Sequence, residues 1–124
     1  MSHAFREAVE TRDLDGLRDA LHPNVVFHSP VVFRPYEGRE AVMELLEHVV
    51  EVLGAFRYTD ELTGIGSVAL VFKARVGDRD VQGVDVLHVD RTGLVRELTV
   101  LIRPLSGLVA VAEAMRERLE APSA

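Results

Sequence analysis

Few side chains in this sequence are placed to do chemistry, and Asp85 is the foremost. It stands in a segment of strand-like alternation, where Asp85, Leu87 and Val89 share one face and Gln82, Val84, Val86 and His88 share the other. The face of Leu87 belongs inside, so Asp85 is carried inward with it. An ionised carboxylate among aliphatic groups is costly; it must find donors or hold its proton. Burial would raise its pKa towards neutrality, and an acid so tuned can give a proton and take it back. The bland alternative is a buried carboxylate satisfied by its neighbours.

Other candidates are weaker. His28 has the right unperturbed pKa for a base, but alternation turns it away from its neighbour Ser29 and from any pocket, as a surface or interface histidine. Ser29 could donate a hydrogen bond to a ligand or simply cap a turn. Tyr58 and Arg57 fall near the start of a sheet, where a solvated strand-end charge is the ordinary fate of the arginine. Tyr36 could sit at a cavity mouth or anchor its turn, and Arg103 has outward parity. The five histidines show no paired ligand spacing, so no metal site is expected. No serine sits in a nucleophile elbow. Gly64-Ile65-Gly66 precedes a strand rather than opening a helix, which fails the phosphate-binding context. No cofactor is expected.

The elements that must position these residues follow from periodicity. Phe5, Ala8 and Val9 lie on one helical face; Asp13 reads as the N-cap of a second helix carrying Leu14, Leu17 and Leu21, stopped at His22-Pro23-Asn24. Residues 25–29 read as a short strand and Pro35-Tyr36-Glu37-Gly38 as a turn. Ala41, Leu45, Val49 and Leu53 keep helical period up to Gly54, with Val42, Leu46 and Val50 beside them. Strands are expected at 56–62, 67–76, 81–90 and 94–104, joined by short glycine-bearing turns. A closing helix follows Pro104, with Ser106 as its expected N-cap and Leu108, Val111, Met115 and Leu119 as its stripe. Helices first and then hairpin-linked strands point to an α+β fold, a strongly curved antiparallel sheet wrapped against helices around an apolar pocket. The inward sets Val68, Leu70, Phe72 and Leu98, Val100, Ile102 would line that pocket with Leu87, and Phe27 joins them from the early strand.

Composition bounds the rest. A chain of 124 residues fits one domain, expected over 1–120 with a frayed tail at 121–124. The net charge of −6 and the lack of any basic run argue against nucleic acid or an anionic membrane as partner. There are no cysteines, which removes disulfides and thiolate chemistry. No stretch approaches a membrane span or the apolar core of a signal peptide, so a cytoplasmic location is expected. The outward sheet face keeps Val71, Val84, Val86 and Leu101, and a homodimer through that face is expected.

The order of these elements resembles the nuclear transport factor 2-like superfamily, which includes ketosteroid isomerases, SnoaL-like polyketide cyclases and many bacterial proteins without assigned roles. The resemblance is carried by Arg12-Asp13-Leu14-Asp15-Gly16-Leu17, His28-Ser29-Pro30, Tyr36-Glu37-Gly38-Arg39-Glu40-Ala41, Gly83-Val84-Asp85-Val86-Leu87 and Ile102-Arg103-Pro104-Leu105-Ser106, and spans nearly the whole chain. It implies a cone-shaped, cystatin-like fold with a cavity between sheet and helices. In the isomerase subgroup a carboxylate base moves a proton while a tyrosine and a protonated aspartic acid hold the enolate oxygen. Matched segment by segment, the protonated acid falls on Asp85, the base on Ser29 and the tyrosine on Phe5. Steroid isomerisation by that mechanism is therefore not expected. Two readings stand: a pocket protein for a hydrophobic, polycyclic or aromatic molecule, and an isomerase, cyclase or lyase in which Asp85 shuttles a proton.

Overall fold

The computed structural model describes residues 3–120; the tail expected at 121–124 lies outside the described residues. The chain opens with α1 (Ala4–Thr11) and α2 (Leu14–Ala20). The Nδ1 of His3 accepts the Phe5 N–H, and the Asp13 carboxylate accepts the Gly16 N–H at 3.0 Å, so each helix has a side-chain cap that satisfies an otherwise orphaned donor. Asp13 thus caps α2 as its sequence position suggests.

Strand β1 (Leu21–His28) starts four residues earlier than alternation alone indicates. Helix α2 ends at Ala20, so Leu21, read as part of its apolar stripe, opens the strand instead, and Pro23 sits inside that strand, between Leu21 and Val26, where the register against β6 shifts. A bulge is where a sheet tolerates a residue with no N–H to give. The segment read as a turn at Tyr36-Glu37 is instead a two-residue strand, β2 (Tyr36–Glu37), paired with Val26 and Phe27. Helix α3 (Arg39–Val52) follows. It buries Val42, Met43, Leu45 and Leu46, while Ala41 is exposed.

The remaining strands are β3 (Gly54–Gly64), β4 (Ser67–Val76), β5 (Arg79–Val89) and β6 (Val95–Arg103). Gly66, Gly77 and Gly93 take positive φ at the hairpin tips, the conformation those turns demand. Helix α4 (Leu105–Glu120) closes the chain. It begins one residue before Ser106, directly after Pro104, whose carbonyl accepts the Leu108 N–H. Ser106 is therefore inside the first turn and is not the cap.

The fold is α+β, with six strands in the order β2-β1-β6-β5-β4-β3. One expectation needs correcting: the sheet is mixed. β1 runs parallel to β6, and the other pairings are antiparallel. The long excursion through α3 and three hairpins gives the chain room to return beside β1 in the same direction, which a tight turn could not do. The helices cover one face of the sheet. Phe5, Leu17, Leu21, Leu70, Phe72, Leu87 and Leu98 form the most deeply buried part of one continuous core.

Candidate functional site

The concave face of the sheet and the helices do not meet everywhere. Between them lies a cavity of about 510 Å³, within the range of small-ligand sites. Its sheet wall is Phe27, Phe72, Leu98, Val100 and Ile102. Its helical wall is Phe5 and Leu17, then Leu45, Leu46 and Val49 of α3, then Val111 and Met115 of α4. Phe56 and Tyr58 of β3 and Tyr36 of β2 close the sides.

Asp85 lines this cavity and is the one charged residue buried with the core among the described residues. Its Oδ2 accepts a hydrogen bond of 2.7 Å from the Tyr58 hydroxyl. Loss of hydration pushes the carboxyl up to about 7, and the Tyr58 hydrogen bond holds it back from rising further. Burial, followed by the neighbouring carboxylate, raises the Tyr58 hydroxyl well above its usual range, so it stays a donor. At neutral pH Asp85 is therefore divided between acid and carboxylate. It can give a hydrogen bond or receive one, and the Tyr58 proton stays where it is.

Tyr58 is held from three sides. Phe56 meets its ring edge-on at a centroid distance of 4.9 Å. Phe72 lies at 6.5 Å, also edge-on. The Arg6 guanidinium sits 5.7 Å from the ring centroid, anchored by Glu61 at 3.0 Å and Glu10 at 3.3 Å. The hydroxyl that Phe5 lacks thus stands beside Asp85 after all, delivered from β3 rather than α1. The parity of Phe56 and Tyr58 contains this signal, but the register of β3 shifts between Tyr58 and Asp60, and that shift is invisible in the sequence.

Ser29 and Phe5 also line the cavity. The Ser29 Oγ accepts the Val31 N–H at 3.0 Å and the Val32 N–H at 3.4 Å, so it shapes the loop after β1 and keeps its own proton to give. His28 pairs with Thr99, and Asp85 with Val100. Ser29 therefore comes two strands from Asp85, about 10 Å away at ordinary strand spacing.

Three residues assigned to the pocket wall are elsewhere. Val68, Leu70 and Leu87 are buried on the concave face but do not line the cavity. Val68 pairs with Leu87 near the end of the sheet that α1 covers, where His3 Nε2 lies 2.7 Å from the Gly93 carbonyl oxygen. Shared parity puts a side chain on a face; only helix placement decides whether that stretch is sealed or hollow. Conversely, Val9, Leu17 and the α3 residues belong to the wall, and helical periodicity alone does not separate them from ordinary core.

His28 faces outward, 2.9 Å from one Glu97 oxygen, with His88 3.3 Å from the other. The His28 contact is the main reason the Glu97 carboxyl is held below its usual range. Arg103 also faces outward and donates to Gln82 at 3.1 Å. Arg57 is exposed. No group of three or more histidine, aspartate or glutamate side chains among the described residues could hold a metal ion. No described helix is long and apolar enough to cross a membrane.

A family profile for the SnoaL-like domain matches residues 3–98. This chain belongs to the SnoaL-like domain family. The SnoaL-like chain is similar to a solved structure described as a steroid delta-isomerase from Pseudomonas aeruginosa, with 39% identity over 93% of this chain and 85% of the other, and a TM-score of 0.88. A cystatin-like protein from Silicibacter pomeroyi shares 30% identity over 94% of this chain and 82% of its own, also at a TM-score of 0.88. A SnoaL-like protein from Burkholderia thailandensis, 17% identical over 82% of this chain and 90% of its own with a TM-score of 0.69, shares the fold. No protein of curated function matches the sequence.

Proposed function

We propose that this SnoaL-like domain binds a neutral, largely apolar small molecule, polycyclic or aromatic, with one polar group set against Asp85 and Tyr58. The observation that carries this reading is a hydroxyl–carboxyl pair at 2.7 Å inside a cavity otherwise walled by aliphatic and aromatic groups. Apolar walls supply affinity and the lone polar pair supplies orientation. An anionic group placed there would face a partly ionised carboxylate, while the nearby Arg6 guanidinium is already paired with Glu61 and Glu10, and a low-dielectric site penalises that repulsion heavily.

The test compares 2-naphthol with 2-naphthoate by titration calorimetry at pH 8. The neutral compound is expected to bind at least tenfold more tightly, and Asp85→Asn should shrink that preference. Equal affinities, or no binding of either, would sink the reading.

A second reading is supported by the proton affinity of Asp85 near neutrality and by the name of the 39% identical structure. Here Asp85 takes a proton from a carbon next to a bound carbonyl and returns it to the same or another carbon, while the Tyr58 hydroxyl turns from Asp85 and donates to the oxygen. Deuterium entry from heavy water into a bound neutral ketone, lost in Asp85→Asn, is the expected sign. A ketone that binds but stays unlabelled would leave binding alone.

We also propose that two copies associate through the outer sheet face. Val71, Val84 and Leu101 stand in one row across three strands, with Leu101 56% exposed. Lys73 and Arg103 share that face with Glu97, so a twofold arrangement can oppose unlike charges. Light scattering is expected to give twice the chain mass, and Leu101→Glu should return it to one. A single-chain mass for the wild type at micromolar concentration would remove the proposal.

A further inference from the structure

The mouth of the cavity carries more apolar surface than a ligand confined to the interior would use. The loop after β1 lies between Pro30 and Pro35, and Val31 and Val32 line the cavity while remaining 47% and 44% exposed. Phe33, next in the chain, is fully exposed. Leu119 of α4 likewise lines the cavity and is 48% exposed. These residues continue the inner wall onto the outside of the protein. The loop is also held in shape, because the Ser29 Oγ takes the N–H groups of Val31 and Val32. Displaying consecutive apolar side chains to water is unfavourable, and such patches mark places where something is covered.

The polar pair lies well inside. Asp85 is two strands inward of Ser29, and the loop begins only after Ser29. A molecule oriented with its polar group on Asp85 and Tyr58 therefore directs its far end toward Val31 and Val32. The rim charges Glu113, Arg116 and Glu120 all stand on α4, whereas the loop residues Pro30, Val31 and Val32 that line the cavity are apolar and the exposed Arg34 of the same loop does not line it.

We infer that the ligand is elongated: a polar head bound at Asp85 and Tyr58, an apolar body in the cavity, and an apolar tail that leaves through the mouth and rests on Val31, Val32, Phe33 and Leu119. This inference depends on the binding reading proposed above. It narrows the ligand class from compact aromatic molecules to amphiphiles with a single polar end and a tail reaching well beyond about 10 Å, the two-strand span from Asp85 to the loop.

The experiment uses para-ethylphenol, para-pentylphenol and para-nonylphenol, titrated against the full chain and against a Phe33→Ser variant, which leaves the cavity lining untouched. These share one head and differ only in tail. Wild-type affinity should keep rising to the nonyl compound. The variant should bind the ethyl compound unchanged and the nonyl compound about tenfold more weakly, ~1.4 kcal/mol. Phe33 is fully solvent-exposed, and an unchanged melting temperature confirms that the fold is intact. Equal affinity of variant and wild type for the nonyl compound would overturn the inference while leaving the cavity reading in place. An altered oligomeric mass of the variant without any dependence on tail length would assign the patch to a second copy and overturn it too. Failure of all three phenols to bind would remove both readings together.

Discussion

Asp85→Asn is expected to flatten the pH dependence of stability between about pH 4 and pH 7, making the variant progressively more stable relative to the wild type as pH rises. The sign follows from proton counting. The folded carboxyl holds its proton up to about 7, against an ordinary value of 3.8. Between those values the folded chain binds more protons than the unfolded chain, so wild-type stability falls with rising pH and levels off above the folded pKa. At about 1.4 kcal/mol per unit, the whole fall is on the order of 4 kcal/mol from this one group. The Asn variant has no proton to lose and keeps a neutral side chain beside Tyr58. Urea unfolding of both proteins at pH 4.5 and pH 8.5 measures the difference. Glu40, Asp90 and Glu97, whose carboxyls are held low by their partners, titrate alike in both proteins and cancel. Tyr58→Phe should act the other way, extending the fall to higher pH and so enlarging it, because it removes the donor that holds the Asp85 pKa down. Parallel pH profiles for wild type and Asp85→Asn would show that the carboxyl is hydrated, and the site described above would not exist.

The second large effect is expected at Gly83. It pairs with Phe72 across β4 and β5 and with Ile102 across β5 and β6. A Cβ there would meet the Phe72 ring and come within 2.5 Å of the Leu101 carbonyl oxygen. The ring can swing aside, but the carbonyl is sheet backbone, so β5 must also shift against β6. Phe72 is already stacked on Phe56 at 4.9 Å and borders the cavity, which gives the displaced ring open space to enter. Gly83→Ala should therefore cost about 3 kcal/mol through overpacking, lower the melting temperature by roughly 10 °C, and weaken binding of 2-naphthol. Phe72→Leu in the same chain should recover part of the loss, since the smaller side chain makes room for the methyl group. If Gly83→Ala melts like the wild type, the floor of the cavity is not where the ring places it.

Both predictions concern residues whose types are plain in the sequence and whose consequences are not. The inward parity of Asp85 was readable because Leu87 and Val89 share its face. Its partner was not, because Tyr58 reaches it through a shifted register in β3, and neither propensity nor alternation encodes a bulge. Phe72 was legible as inward, whereas the crowding at Gly83 follows only from the pairing of β4 with β5.

Local order was largely written in the chain. Alternation of apolar residues, the turn glycines, the Asp13 cap and the helical spacing in α3 and α4 suffice to mark the helices, the hairpins and the inner faces of β4, β5 and β6, because these depend on neighbours a few positions away. The parallel pairing of β1 with β6, the hollow beside Phe72 and the sealed stretch at Val68, Leu70 and Leu87, and the meeting of Tyr58 with Asp85 were decided only by the tertiary structure. They depend on where helices settle against a curved sheet, a balance of packing among residues distant in sequence. No local rule carries that balance.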